Sequence, residues 1–344
     1  MMLQERLSRL LEESGAARWG WSEAGEVEAD EWRRFEAWLE AGHHAGMEYM
    51  AHHRDLRRDP RLLLDGAKTV ISVAFNYRQA NPYKGVATYA LGLDYHKVLR
   101  RRLKGVVKAL KGEFGGEWRI CIDSAPILER YWAVRSGVGV RSRGHGNVIV
   151  PGVGSMVFLA EILTTHEIGD LAADMRMGDE VETMKDVEAA QRACPGGALL
   201  PGGAVDSRRC LNYLTIEKVG ALEKEERELV ERTGTIFGCD LCQRVCSYNM
   251  CSHNNKGEMP GKLSAENKGE VPANICAHID KGEKSGSLYS SNKSGGMPGI
   301  LPEFAPLEGL VNVEGMDRLE VLKGAPAGSP LLRGLRGIKK CKIL

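Results

Sequence analysis

The 344-residue sequence contains no apolar run approaching the roughly 18 residues that a bilayer-crossing helix requires, which excludes a hydrophobic membrane span. It also lacks a dominant sign of charge. With 47 Lys and Arg against 46 Asp and Glu the net charge is +1, so no global basic field announces nucleic acid, and any such surface must be local. The first residues, MMLQERLSRLLEE, lack the basic stretch and apolar block of a secretory signal, and the expected compartment is the cytoplasm. Phosphate-cradling glycine motifs are missing too. Gly137-Val-Gly139 has no third glycine at the required offset and precedes a strand, and Gly152-Val-Gly154-Ser155 has no lysine. His43-His44 and His52-His53 lack the i, i+4 spacing of a helical metal site and read as surface imidazoles.

What is present is a globular composition, 43% hydrophobic against 27% charged, in a chain long enough for two domains. Leu3, Leu7, Leu10 and Leu11 recur at helical spacing before Gly15, and after Asp30 the residues Trp32, Phe35 and Leu39 line a second helix that Gly42 stops. Residues 70–75 are short, β-branched and apolar, as a buried strand should be. Residues 94–111 read as a helix with Val98, Leu103, Val106, Val107 and Leu110 inward. Its seven Lys and Arg form either a solvated face or a surface for an anionic partner. RICID, a helix from about Ala125, NVIVPG and SMVFLAEIL continue the alternation that marks an α/β or α+β domain. In residues 252–299 Asn, Lys, Gly, Ser and Glu dominate, and NKGEMP recurs as NKGEVP. Such a stretch buries too little apolar surface to offset its ordering entropy and reads as a flexible insertion, followed by a short tail ending in RGLRGIKKCK.

The strongest chemical signal is sulfur. Of 9 cysteines, Cys239, Cys242 and Cys246 share a tight loop, Cys194 precedes Pro195, and Cys210 lies between. Thiolates at C-x-x-C spacing converge on one ion or cluster, and a Cys-Pro pair closes bacterial-type iron–sulfur runs. Four cysteines around a structural zinc would use the same spacing, so both centres stay open at this point. Cys121 falls in a strand and reads as a small buried hydrophobe, and Cys251, Cys276 and Cys341 fall in the insertion or tail.

Taken together, GMEYMAHHRDLRRDPRLLLDGAKTVISVAFNY, YALGLDYHKVL, DSAPILER, GSMVFLAEILT, ACPGGAL, RRCLNYLTIE and FGCDLCQRVC resemble the epoxyqueuosine reductase family, in family order over residues 45–250. The resemblance implies a cobalamin-dependent iron–sulfur enzyme that removes the epoxide oxygen of epoxyqueuosine in the anticodon loop of tRNA. It implies an α/β (α+β) cobalamin-binding domain to about residue 180 and a ferredoxin-like iron–sulfur domain over 181–250. The insertion (251–299) and the tail (300–344) follow. Asp123 of DSAPILER matches the family's proton donor. From the residues alone, Asp123 ahead of Pro126 and an apolar helix is equally a helix cap. For the corrin the resemblance points to Arg57, Tyr89, His96, Val148 and Leu159. The partners it implies are tRNA and a low-potential electron donor, with no membrane, and a monomer is expected.

The sequence also departs from the family. Cysteines expected ten, seven and four residues before Cys194 are Met184, Val187 and Ala190. In the family those three, with the residue matching Cys246, hold one 4Fe-4S cluster, and the residues matching Cys194, Cys210, Cys239 and Cys242 hold the other. One ligand set is therefore complete and Cys246 is orphaned. The loop ends CSYN instead of CPWN, and Arg143 stands where a Gly-Lys pair is expected. These departures keep two rivals in view: a non-catalytic homologue that binds tRNA or corrinoid, and a cobalamin enzyme resembling the reductive dehalogenases.

Overall fold

The computed structural model describes residues 2–81, 84–169, 182–250 and 301–304; the insertion, its repeat and the RGLRGIKKCK tail lie outside the described residues. Helix α1 (Leu3–Glu13) buries Leu7 and Leu11 and leads into β1 (Arg18–Glu23), then α2 (Ala29–Glu40) with Trp32, Phe35 and Leu39 buried. A short α3 (Arg54–Arg58) precedes β2 (Thr69–Asn76), whose eight residues are all buried. That burial pattern means the strand is covered on both faces. Asp94 caps α4 (Tyr95–Phe114), its carboxylate accepting the His96 N–H at 3.1 Å.

Then come β3 (Trp118–Cys121), α5 (Glu129–Arg135), the two-residue strands β4 (Val140–Arg141) and β5 (Val148–Ile149), and β6 (Val157–Thr164). The main sheet runs β1-β2-β6-β3 with every pairing antiparallel, so the architecture is α+β. Helix α5 starts later than the apolar pattern indicates. Pro126 and the Ile127 N–H to Ala125 C=O bond hold residues 124–128 in turns first.

The sheet's alternation decides where each helix lies. Ile71, Val73, Phe75 and Ile162 pack under α1 and α4 with Leu7, Leu99 and Leu103. Val70 and Leu163 face Trp32, Phe35 and Trp132 of α2 and α5. On β1 only glycine fits beneath α5, because a Cβ on Gly20 would lie 1.9 Å from the Ser136 carbonyl oxygen. Gly20→Ala must push α5 off the sheet; the expected loss is about 1–3 kcal/mol in urea unfolding, and an unchanged midpoint would refute this packing. Leu301 and Phe304 return to the α1/α4 face, where Glu303 pairs with Arg101 at 2.8 Å and Arg102 at 2.7 Å.

The sulfur-bearing part begins with α6 (Met184–Ala193), capped by Thr183 and ended at Cys194. A π-turn (Tyr213–Glu217) follows Cys210, then α7 (Lys224–Thr233), α8 (Leu241–Arg244) and α9 (Ser247–Met250). This part is fastened to the sheet part by specific bonds. Asp240 accepts the Thr88 N–H at 2.8 Å, and the Asn249 amide accepts the Ser155 N–H and donates to Ser155 Oγ, both at 2.8 Å.

Candidate active site and metal centre

Where β5, β6 and the loop after β3 meet, a cleft opens, about 620 Å³ with the open solvent around its mouth included. Its floor is apolar, from Val148, Val157, Phe158 and Leu159, and its wall is polar, from Tyr95, Asp123, Glu129 and Arg130. Gln243 of α8 reaches it from the sulfur side. Asp123 sits at φ +52°, the left-handed region that aspartate tolerates better than most residues, and such a conformation persists only where its surroundings enforce it.

The chief enforcer is a three-membered array. The His96 ring lies between two carboxylates, Nδ1 2.9 Å from Asp94 Oδ1 and Nε2 2.7 Å from Asp123 Oδ2. A neutral imidazole has one N–H, so its tautomer decides which of the two carboxylates receives it. Tyr95 stacks on Phe158 at 4.3 Å and 7°, and its hydroxyl, bonded to Asp123, is raised by burial and by that carboxylate's charge. Glu129 Oε1 accepts the Asp123 N–H at 2.6 Å. Burial, then the charge of Asp123, pushes the Glu129 carboxyl up to about 7.

On the other side of Gln243, four thiols share one electrostatic neighbourhood. Burial raises Cys242 most, and charge on Cys239, Cys210 and Cys194 raises it further; Cys239, pushed up to about 11, is raised mainly by burial and also feels Cys210 and Cys194. Backbone N–H groups point at the sulfurs, with the Ala198 N–H 3.2 Å from Cys194 Sγ. Such donors favour thiolate over thiol. Among the described residues no three Cys, His or acidic side chains are close enough to share a single ion.

Cys246 stands apart. It is buried, and burial together with Asp186 and Glu182 pushes its thiol up to about 12. Val187 and Ala190 are buried apolar side chains and Met184 is exposed, so among the described residues no second thiol set surrounds it. Glu182 is engaged instead by Ser142 Oγ at 2.8 Å and the Arg143 N–H at 2.6 Å. The Arg143 guanidinium donates to the Glu182 carbonyl at 2.7 Å, and the cleft's arginine is Arg130.

Asp123, Val148 and Leu159 therefore share one cleft, and His96 contacts Asp123. Arg57 and Tyr89 do not line it. Arg57 is buried and donates to the Tyr49 carbonyl at 2.9 Å, and the Tyr89 hydroxyl donates to Asn212 at 3.0 Å, beside the sulfur loop. Glu129, Tyr95 and Gln243 escaped sequence reasoning, although each sits within six residues of one that did not.

Residues 57–124 match the family model described as Epoxyqueuosine reductase QueG, and residues 190–249 match a 4Fe-4S double cluster binding domain. An epoxyqueuosine reductase from Cyclobacterium marinum is 36% identical over 255 residues, 71% of this chain and 79% of that one. The solved epoxyqueuosine reductase from Streptococcus thermophilus superposes with a TM-score of 0.63 at 29% identity, covering 73% of this chain and 67% of the other. A crystal structure of an epoxyqueuosine reductase with an epoxyqueuosine-modified tRNA-Tyr stem loop gives 0.63 at 27%, covering 72% and 65%. The fold and the sulfur set define an iron–sulfur oxidoreductase of mixed α/β architecture. The chain belongs to the epoxyqueuosine reductase family. No helix among the described residues is long and apolar enough to cross a membrane.

Proposed function

We propose that this chain reduces epoxyqueuosine to queuosine in the anticodon loop of tRNA, with Asp123 as the acid that protonates the departing oxygen. The observation that carries this reading is the Asp94–His96–Asp123 array, which joins a carboxyl on the cleft wall to a histidine ring held by a second carboxylate. General acid catalysis needs an oriented donor of this kind. Asp94 turns the ring, His96 relays the proton, and the Tyr95 hydroxyl fixes the Asp123 oxygen from a second direction.

Val148 and Leu159 would hold a corrin from the apolar floor of the cleft, with Asp123 on its polar wall. The chemistry supplied there would be that of a strongly reducing, nucleophilic cobalt centre, and Cys194, Cys210, Cys239 and Cys242 would hold a 4Fe-4S cluster as the source of electrons. Gln243 follows Cys242 directly and lines the cleft, so the sulfur set is one residue from the reaction space. A second cluster does not fit the residues around Cys246, and we assign the chain one cluster. A low-potential donor supplies its electrons, and the working unit is a monomer.

For tRNA, Lys97, Arg100, Lys104 and Lys108 of α4 are exposed and make no ion pair among the described residues. They extend along the helix from the His96 end of the cleft. Replacing the three lysines by Ala is expected to weaken tRNA binding and flatten the log-affinity against log-salt slope by about 2–3. An unchanged slope would remove α4 from the interface. The reading as a whole is tested by nucleoside analysis of epoxyqueuosine-bearing tRNA after anaerobic incubation with reductant and cobalamin. Queuosine is the predicted product; unchanged epoxide would leave a tRNA-binding homologue without turnover.

A further inference from the structure

Residues 45–51 bridge the two parts of the molecule beside Asp123. Ala45 and Met47 pack with Leu211, Tyr213 and Leu214 of the sulfur part, and the Gly46 N–H donates to the Tyr213 hydroxyl at 2.9 Å. Met50 and Ala51 pack instead into the cluster that holds Ala125, Ile127 and Leu128, the turn that follows Asp123. Between these two anchorages stands Tyr49, which is 50% exposed. Its main chain is fixed, because the buried Arg57 guanidinium donates to its carbonyl at 2.9 Å. Its hydroxyl donates to Glu217 Oε2 at 3.4 Å, at the end of the π-turn. Among the described residues that is the one hydrogen bond to the Glu217 carboxylate, and no Lys or Arg pairs with it; the neighbouring Lys218 is taken by Glu226 at 2.7 Å. Glu217 is half-buried, and burial, then the charge of Asp123, raises its carboxyl above the ordinary range.

An aromatic ring open to solvent beside a half-buried carboxylate that lacks a cation is complementary to an organic ammonium ion. The substrate of the proposed reaction carries one. In epoxyqueuosine a secondary amine, protonated at neutral pH, links the deazaguanine base to the epoxide-bearing ring. Its nitrogen is bonded to that ring next to the epoxide, so an epoxide oxygen at Asp123 brings the ammonium group to the side of the cleft where Tyr49 and Glu217 stand. Single-stranded loops are read in this way, by splayed-out bases that meet aromatic rings and polar groups. We propose that Tyr49 and Glu217 are a specificity-determining pair that selects the modified nucleotide by its ammonium group, Glu217 accepting the N–H and Tyr49 covering it with its ring. Guanosine at the same position offers no cation and is passed over. The inference rests on the functional reading above and adds to it how the substrate nucleotide is told apart; Asp123 keeps its role toward the oxygen.

Equilibrium binding of anticodon stem loops to the full chain tests this without turnover. Three RNAs differ only in the nucleotide concerned: guanosine, a deazaguanosine bearing an aminomethyl group, which is a cation, and one bearing a nitrile, which is neutral. The wild type binds the aminomethyl stem loop about tenfold more tightly than the other two. Glu217→Gln keeps the side-chain shape and an acceptor for the Tyr49 hydroxyl; it brings the ratio close to unity and leaves affinity for the guanosine stem loop unchanged. Tyr49→Ala lowers the ratio about threefold, whereas Tyr49→Phe, which keeps the ring, retains most of it. In turnover, E217Q raises KM for the epoxyqueuosine stem loop about tenfold with kcat little altered. Equal wild-type affinity for the aminomethyl and nitrile stem loops, or a ratio that E217Q leaves intact, overturns the proposal. A wild-type enzyme that makes no queuosine sinks the functional reading instead, and the binding ratio still decides whether Glu217 recognises the ammonium group.

Discussion

Asp123→Asn yields a folded protein that binds tRNA with unchanged affinity and turns over about 10²–10⁴-fold more slowly. The fold survives because asparagine, like aspartate, accepts the left-handed backbone that residue 123 adopts at φ +52°. Its amide oxygen still receives a bond from His96 or Tyr95. What is lost is the transferable proton, so the deficit falls on kcat, and KM for the stem loop stays where it was. Single-turnover kinetics with preloaded cofactors checks this. A variant within threefold of wild type would leave Asp123 as a cap on the turn before α5 and nothing more.

Cys242→Ala abolishes activity and empties the iron site, whereas Cys246→Ala does neither. Cys242 is one of four thiols within electrostatic reach of one another, and the next residue lines the cleft, so under the proposed assignment its loss breaks both the ligand set and the electron route. Among the described residues Cys246 has no such company. Its neighbours Asp186 and Glu182 oppose a thiolate, and Val187 and Ala190 bring apolar carbon where a cluster would need sulfur. The expected iron content is about four per chain for wild type and C246A and close to none for C242A. Loss of half the iron in C246A would show instead that a second cluster forms.

The parts of the molecule that could be read in advance are those with strong periodicity or spacing. Strand β2 and helix α4 announce themselves through unbroken apolar runs and a 3.6-residue stripe, and the C-x-x-C loop through its sulfur. Strand β1, RWGWSE, is invisible to alternation because five of its six residues are buried, Arg18 and Ser22 among them. Helix α7, KEERELVERT, buries only Val230 and has almost no apolar face to detect. Arg57 and Tyr89 carry polar groups suited to a cofactor, yet their partners are a backbone carbonyl and Asn212, contacts between distant segments that local pattern does not encode. Glu129 and Glu161 pass as ordinary surface residues of a helix and a strand until tertiary packing half-buries the first and wholly buries the second.

The sulfur set beside the Asp123 cleft is the centre of this account, and anaerobic iron, acid-labile sulfide and zinc content on one preparation tests it most directly. The prediction is about four iron and four sulfide per chain with no zinc. About one zinc without iron, or about eight iron, would contradict it.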